Sequence, residues 1–422
     1  MLLLFIFQLF FDFVMTAAIA TSGDNRVEQV HLSLSGNMNE MIVTWLTQSP
    51  LPNVTPFVSY GLSADNLKWT SKATTTKWAD EGEKSVHRYT HRATMKNMSP
   101  GQRYYYSVGS SQAKSNIFWF TQPDPSQPLR MAIFGDLSLN KGFSIDPLIN
   151  ATHSGDLDII IHIGDLAYDL QDDNGNVGDD YMNAIEPMAA YIPYMVFPGN
   201  HEVSHNFNHM VNRFTMPKNG VYDNNLFWSL DFGMIHFVSL NTEYYAEGMS
   251  KETKAQYEWF VDDLKENKAK WLIVLLHRPL YCSTKSAKGC HDPQDIITRE
   301  GNADFPGLEQ VFIDNKVDVV FYGHKHTYER MWPMKHGIPI KSEDSSYIKN
   351  PEAPVYILTG AAGCHSHSGP DDSIAQPFSI ARLGNYGYTK FHLHNSTHIS
   401  THFIDTSDNI GKPLDRFYIE KQ

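Results

Sequence analysis

The chain has 422 residues, of which 41% are apolar, 13% are aromatic and 19% are charged. A chain of this length divides into about two or three domains of roughly 150 residues, and its composition excludes disordered, collagenous and coiled-coil proteins. Its 47 acidic and 34 basic residues give a formal net charge of −13. That charge argues against nucleic acid or an anionic membrane as the main partner.

The first 20 residues are predicted to be a cleavable signal peptide. They form an apolar stretch that ends in Ala18-Ile19-Ala20, with small residues where such peptides are cleaved. The alternative is a membrane anchor, but the uncharged span is short for a bilayer crossing and Asp12 interrupts it. No later stretch reaches membrane-spanning length. We therefore expect a secreted protein without stable membrane insertion, and the lysosome is the alternative location.

Four Asn-x-Ser/Thr triplets and three cysteines agree with the secretory route. The triplets predict glycosylation at Asn53, Asn97, Asn150 and Asn395. Cys282 and Cys290 lie close together in a polar segment, so an oxidising compartment is expected to join them in a disulfide. Cys364 is then left over and is predicted to be a buried thiol.

Residues 25–122 are predicted to form an all-β domain, an antiparallel sandwich. Short segments such as 41–45 combine alternation with β-branched and aromatic residues, a pattern that is typical of strands. Trp45 is expected to lie in the core between the two sheets. Residues 98–104 resemble the turn and tyrosine corner of fibronectin type III domains, and three prolines in residues 122–128 indicate a domain boundary.

Residues 129–422 are predicted to form a second domain, of the α/β class. Buried-type runs of four to seven residues alternate with helical stretches such as 254–267. This alternation predicts parallel strands that are joined by crossover helices. The C-terminal part returns to strands, for example at 355–358 and 389–393.

Five apolar strands of this second domain run into residues that can bind a metal. Functional sites in open α/β sheets form beyond the carboxyl ends of the strands. The candidate ligands are Asp136, Asp165, Tyr168, Asn200, His277, His324 and His326. One such residue after a strand is commonly structural, but the compound pattern in this order favours a metal site.

The chemistry of the ligands divides them into two groups that share one carboxylate. The phenolate-containing group suits Fe(III) and consists of Asp136, Asp165, Tyr168 and His326. The other group suits a divalent ion such as Zn, Fe(II) or Mn and consists of Asp165, Asn200, His277 and His324. Asp165 is expected to bridge the ions at a separation of about 3.5–4 Å. His324 and His326 are two apart on a segment that we expect to be extended, so each can serve one ion.

These motifs resemble the five metal motifs of purple acid phosphatases. The matching segments are Gly135-Asp136, Gly164-Asp165-x-x-Tyr168, Gly199-Asn200-His201-Glu202, His277-Arg278-Pro279 and Gly323-His324-x-His326. The wider calcineurin-like metallophosphoesterases usually have histidine where this chain has Ser138, and they lack the tyrosine found here at Tyr168. This paired exchange favours the Fe(III)-containing branch.

The resemblance implies a four-layer α/β/β/α metallophosphoesterase domain that follows a fibronectin III-like sandwich. It also implies an acid phosphatase that cleaves small phosphomonoesters by attack of a metal-held hydroxide at an Fe(III)–M(II) centre. The resemblance gives His201 a role as general acid or as a substrate-binding residue. The alternative is that His201 orients its neighbour Asn200. Asn200 itself would also contact the substrate. His291 falls where family members often place a substrate-binding histidine, and Glu202 is expected to support the ligands.

Three other functions are open to the same residues. A phosphodiesterase or pyrophosphatase would use the same metal pair. An extracellular binding protein would use the sandwich domain and keep the sheet as a scaffold. That hypothesis predicts that some metal-ligand residues have been replaced, but all seven are present. An Fe(III) site could also serve redox chemistry. Substrate specificity is expected to depend on loops such as 169–183 and 283–295.

Overall fold

The computed structural model describes residues 26–284, 292–366, 369–370 and 376–422. The strands of the first domain are β1 (Glu28–Ser33), β2 (Glu40–Thr47), β3 (Phe57–Gly61), β4 (Trp69–Lys72), β5 (Thr74–Ala79), β6 (His87–Lys96), β7 (Arg103–Gly109) and β8 (Phe118–Thr121). They form two antiparallel sheets, in the orders β1-β2-β6-β5 and β4-β3-β7-β8. The predicted all-β sandwich is confirmed.

The core of the sandwich lies between these two sheets. Trp45 of β2 and Tyr106 of β7 are completely buried there, as predicted for Trp45. Tyr104 Oη accepts a hydrogen bond of 2.9 Å from the backbone N–H of Ser99. The tyrosine therefore ties the preceding turn to β7, which confirms the predicted tyrosine corner.

His91 of β6 is a buried, neutral histidine in this domain. Its Nε2 lies 3.0 Å from Thr47 Oγ1 and its Nδ1 lies 2.8 Å from Thr75 Oγ1, so both ring nitrogens are paired with hydroxyl groups. Burial, with a smaller contribution from the positive charge of Arg92, lowers the pKa of His91 from 6.5 to about 4. Protonating this ring therefore opposes folding.

We expect His91→Gln to make the folded protein less sensitive to acid. The unfolded chain binds more protons than the folded one between the two pKa values, so the contribution of His91 is lost as the pH falls from 6.5 to about 4. The shift corresponds to at most about 3 kcal/mol. The measurement is the Tm at pH 7 and pH 4.5, with the exposed His87→Gln on the same strand as control. An equal acid-induced loss of Tm in all three proteins would contradict the prediction.

The second domain contains seventeen strands, seven α-helices and one short 3-10 helix, Asn200–Glu202, within the described residues. The strands are β9 (Leu129–Phe134), β10 (Leu137–Ser138), β11 (Ile159–Ile163), β12 (Leu166–Ala167), β13 (Tyr194–Phe197), β14 (Trp228–Phe232), β15 (Ile235–Ser239), β16 (Trp271–Leu275), β17 (Val319–Tyr322), β18 (Tyr328–Lys335), β19 (Ile338–Pro339), β20 (Tyr347–Lys349), β21 (Val355–Thr359), β22 (Ser379–Leu383), β23 (Gly387–Leu393), β24 (His398–Asp405) and β25 (Pro413–Glu420). The helices are α1 (Ile145–His153), α2 (Asn176–Ala189), α3 (Ser204–Arg213), α4 (Glu243–Ala246), α5 (Ser250–Glu266), α6 (Pro293–Glu300) and α7 (Leu308–Asp314).

Two large mixed sheets form the centre of this domain. Their strand orders are β13-β11-β9-β23-β24-β25-β20 and β14-β15-β16-β17-β21-β18-β19, with β22 paired to β18. The strands that precede the candidate ligands run parallel to their neighbours from the same series, as predicted. The C-terminal strands β23, β24 and β25 are antiparallel instead, because short turns connect them and such turns cannot join parallel neighbours.

The two sheets pack face to face and carry helices on their outer sides. Ile273 and Leu275 of β16 belong to the core that lies between the sheets. Val274, on the opposite face of the same strand, packs in a second cluster with Phe260 of α5 and Phe312 of α7. Helices α1 and α2 contribute to the core on the side of the other sheet. The four-layer α/β/β/α arrangement is confirmed.

Several features that were tied to the secretory route are placed by the structure. The four asparagines of the glycosylation triplets are exposed, and Cys364 is a buried free thiol, as predicted. Cys282 is buried, but Cys290 lies outside the described residues, as do residues 1–20, so the disulfide and the signal peptide stay predictions. None of the described helices has the length and apolar character that a bilayer crossing requires.

Candidate metal centre

All seven candidate ligands lie at one edge of the two packed sheets. The first sheet contributes the residues that follow β9, β11 and β13, namely Asp136, Asp165, Tyr168 and Asn200. The second sheet contributes the residues that follow β16 and β17, namely His277, His324 and His326. The ligand edge is therefore built jointly by both sheets.

Tyr168, Asp136 and His326 form one compact group. Tyr168 Oη lies 3.1 Å from Asp136 Oδ1 and 2.7 Å from His326 Nε2, and the last two atoms are 3.3 Å apart. The ligand atoms of Asp136, Asp165 and His326 are close enough together to hold one metal ion. Burial and then the charge of Asp136 raise the pKa of Tyr168 well above its ordinary value, and a bound cation would act in the opposite direction.

His277, Asn200 and His324 form the second group. His277 Nε2 lies 3.2 Å from Asp165 Oδ1 and 3.2 Å from Asn200 Oδ1. Asp165, His277 and His324 can together hold one ion. His277 Nδ1 lies 2.9 Å from the carbonyl oxygen of Ile163, and donation to it leaves Nε2 free as a ligand atom.

This donor set fits a pair of cations. The carboxylates of Asp136 and Asp165 are almost completely buried, and buried charges of this kind require compensation. Asp165 is the carboxylate that the two metal-binding groups have in common. Carboxylate, imidazole, phenol and amide groups converge, a mixture that is typical of transition-metal sites.

The backbone at the ligands is unusually strained. Asp136, Asp165, Tyr168 and His324 have φ values of 64°, 54°, 56° and 69°, in the left-handed region. This region costs an L-residue roughly 1–2 kcal/mol, and such residues concentrate at functional sites. The predicted extended conformation at His324 is wrong, because the chain turns sharply as soon as β17 ends. His324 and His326 nevertheless fall in different metal-binding groups.

Two glycines allow the ligand loops to approach one another. A Cβ atom on Gly199 would lie 2.4 Å from Asp165 Oδ1, and one on Gly323 would lie 2.6 Å from Asp136 Oδ2. Both distances are far below normal contact, and the obstructing atoms belong to candidate ligands. Glycine is therefore required at these positions for steric reasons.

Glu202 ties two ligand loops together. Its carboxylate accepts hydrogen bonds of 2.8 Å from the backbone N–H groups of Asp165, Leu166 and Gly199. The side chain thus fixes the turn after β11 to the turn after β13. This is the supporting position that the sequence suggested for Glu202.

His201 points into the site and is held by Asp169. His201 Nδ1 lies 2.9 Å from Asp169 Oδ1, and its Nε2 lies 4.0 Å from Asp165 Oδ2. Burial lowers the pKa of His201, but the hydrogen bond to Asp169 and the charge of Asp165 outweigh it and raise the pKa to about 9. Asp169 was not predicted from the sequence as a site residue, although it directly follows Tyr168. His291 lies outside the described residues.

A set of buried ion pairs behind His324 was also not predicted from the sequence. Arg278 Nε donates to Glu243 Oε2 at 2.8 Å, and Lys325 Nζ lies 2.9 Å from Asp295 Oδ2. Asp295 Oδ1 is 3.8 Å from His324 Nε2. Glu243 follows β15, which ends at the same edge of the sheet as β16, so this strand end was the available signal.

Cys364 and Ser366 lie against the far side of the His326 ring. Cys364 Sγ and Ser366 Oγ are each 3.1 Å from His326 Nδ1, and the Ser366 carbonyl also contacts that nitrogen. These contacts leave His326 Nε2 directed at Tyr168 and Asp136.

The two helix-flanked sheets and their ligand edge define a calcineurin-like metallophosphoesterase. Three family models match the chain: "Purple acid Phosphatase, N-terminal domain" at residues 27–122, "Calcineurin-like phosphoesterase" at 129–328, and "Iron/zinc purple acid phosphatase-like protein C" at 353–415. The chain therefore belongs to the purple acid phosphatase family of phosphoester hydrolases, as the sequence motifs suggested.

Individual relatives agree with this assignment. The chain is 37% identical over 415 residues to acid phosphatase type 7 of Danio rerio, which covers 94% of this chain and 91% of the relative. It is 35% identical over 402 residues to acid phosphatase type 7 of Homo sapiens, with 93% and 90% covered. The solved purple acid phosphatase PPD1 from yellow lupin seeds has the same fold, with a TM-score of 0.79 at 23% identity, and the match covers 94% of this chain and 74% of that one.

Proposed function

We propose that this protein is a secreted purple acid phosphatase that hydrolyses phosphomonoesters at acidic pH, with Fe(III) and one divalent ion, Zn, Fe or Mn, as its metals. The observation that carries the proposal is the position of Tyr168. Its hydroxyl group lies between the buried carboxylate of Asp136 and the ring of His326, where a phenolate ligand for Fe(III) would be needed. The name acid phosphatase type 7, which the relatives carry, supports the reaction class.

The candidate ligands fall into two sets, one for each proposed metal ion. Asp136, Tyr168 and His326 would hold Fe(III), Asn200, His277 and His324 would hold the divalent ion, and Asp165 would be shared. When bound, the cations supply positive charge for the phosphate group and lower the pKa of a water molecule.

His201 is the residue that protonates the leaving group. Asp169 occupies Nδ1, so Nε2 is available on the side of Asp165, and the side chain is 29% exposed. A protonated imidazole at this position donates a proton to the leaving alkoxide oxygen. The same hydrogen bond to Asp169 fixes which way the ring faces, so Asp169 is a positioning residue for the proton transfer.

Secretion is supported by the apolar N-terminal stretch with its Ala-x-Ala end and by the exposed glycosylation triplets. We propose that glycans are attached at these triplets and that Cys282 pairs with Cys290. The lysosome remains the alternative destination, since it is reached by the same route.

The phenolate assignment is tested by Tyr168→Phe. We expect the wild-type protein to show a broad visible band from tyrosinate-to-Fe(III) charge transfer, and we expect the variant to lose it because the phenolate is gone. The measurements are the visible spectrum and the metal content of the purified proteins. Tyr386→Phe is the control, because Tyr386 lies near the site, 3.5 Å from the Cys364 carbonyl, but is not a candidate ligand. A colourless wild-type protein with manganese or zinc and without iron would contradict the proposed metals.

A further inference from the structure

A buried ionic cluster joins the sandwich domain to the second domain. Arg88 of β6 makes a forked contact with Asp179 of α2, with Nε–Oδ1 at 3.0 Å and Nη2–Oδ2 at 2.7 Å. Arg213, at the end of α3, approaches the same carboxylate at 2.8 Å. Both arginine side chains are completely buried. We define these three residues as the interdomain cluster.

The interdomain cluster contacts the loop that follows Tyr168. This loop carries Asp169 and ends where α2 begins, at Asn176. Arg88 Nη2 donates to the Asn174 carbonyl at 2.9 Å, and the backbone N–H of Lys84 donates to Asn174 Oδ1 at 3.1 Å. Two residues of the sandwich domain thus hold the far end of the Asp169 loop.

The sandwich domain also holds the segment that follows His201. This segment continues into α3, whose His209 Nε2 lies 2.9 Å from Asp80 Oδ1. The side chain of Asn208 donates to the Ala79 carbonyl at 2.9 Å. Asp80 and His209 are both buried, so the contact is shielded from solvent.

These two anchored segments meet again in the active site. Asp169 comes from the first segment and His201 from the second, and they are joined by the 2.9 Å contact between Oδ1 and Nδ1. We propose, on the basis of the proposed function, that the sandwich domain keeps this pair in register through the interdomain cluster and through its contacts with Asn174. Arg88 and Asn174 are then positioning residues for leaving-group protonation. A displacement on the order of 1 Å is enough to impair such a transfer.

The rival role is simple attachment of one domain to the other. Tyr106 serves as the control for that role, because its hydroxyl group donates to the Ala190 carbonyl at 2.7 Å across the same interface but beyond the other end of α2. Tyr106→Phe should lower the Tm without altering catalysis.

Asn174→Gly is the mild test variant, because Asn174 has a φ of 56° and glycine accepts that conformation. Asn350→Gly is its matched control, because Asn350 has a φ of 45° and its side chain accepts a hydrogen bond from the Gln422 N–H.

The experiment compares the kcat of metal-loaded, full-length proteins on an alkyl phosphate and on 4-nitrophenyl phosphate. We expect Arg88→Ala and Asn174→Gly to lower kcat roughly tenfold on the alkyl ester, to change it little on the nitrophenyl ester, and to retain full metal content. Unchanged kcat on both esters, or an equal loss on both, would overturn the inference. An inactive wild-type protein with full metal content would instead overturn the proposed function.

Discussion

Asp165→Asn is expected to lower the rate of phosphomonoester hydrolysis by at least roughly a thousandfold and to reduce the metal content of the protein. Asp165 is common to both metal-binding groups, and its Oδ1 lies 3.2 Å from His277 Nε2. The amide keeps the shape of the side chain but removes the negative charge that the two proposed cations would share. Loss of several kcal/mol of electrostatic stabilisation corresponds to this factor, since each 1.4 kcal/mol is about tenfold.

The control for this prediction is the same substitution at another buried aspartate. Asp318 lies beside the amino end of β17, where it accepts a 2.8 Å hydrogen bond from the Leu272 N–H and pairs with Lys421 at 2.7 Å. Asp318→Asn should lower the Tm and leave metal content and kcat close to those of the wild type. Full metal content in Asp165→Asn, with kcat reduced less than tenfold, would show that the shared carboxylate is not required.

The ligand edge could be predicted from the sequence because its signals are local. Each candidate ligand follows an apolar run of strand length, and parallel strands of one sheet present their carboxyl ends together. Asp169 gave no such signal. It lies in the loop after Tyr168 rather than directly at the end of a buried strand, and its partner His201 is 32 positions away in the sequence. Asp295 and Lys325 likewise meet only in the folded chain, so no local pattern connects them.

The fold class was predictable for the same reason, but two details were not. The left-handed backbone at His324 depends on how the chain must turn to bring the ring toward Asp165, and no residue preference signals it. The anchoring of α2 and α3 on the sandwich domain depends on Arg88 and Asp179, which are 91 positions apart. Each looks in the sequence like an ordinary surface charge.

His201→Ala is expected to slow hydrolysis in a manner that depends on the leaving group. General acid catalysis contributes about 10²–10⁴-fold when the leaving oxygen is strongly basic. We therefore expect kcat on an alkyl phosphate to fall by roughly that factor, and kcat on 4-nitrophenyl phosphate to fall less than tenfold, because nitrophenolate leaves without a proton. The measurement is kcat on both esters at saturating substrate, together with metal content.

Asp169→Asn separates this role of His201 from orientation of Asn200. The substitution removes the negative charge 2.9 Å from His201 Nδ1 but leaves the backbone N–H of His201 on Asp165 Oδ1 at 3.1 Å. If His201 is the acid, Asp169→Asn should show the same dependence on the leaving group with a smaller loss, roughly 10–100-fold on the alkyl ester. If His201 only orients Asn200, His201→Ala should lower kcat equally on both esters. The variant should then also contain less of the divalent ion that Asn200 is proposed to bind. The two esters carry the same phosphate group and would meet the same metal ions. A loss of kcat that differs between them therefore points to the leaving group, on whose side His201 Nε2 is available.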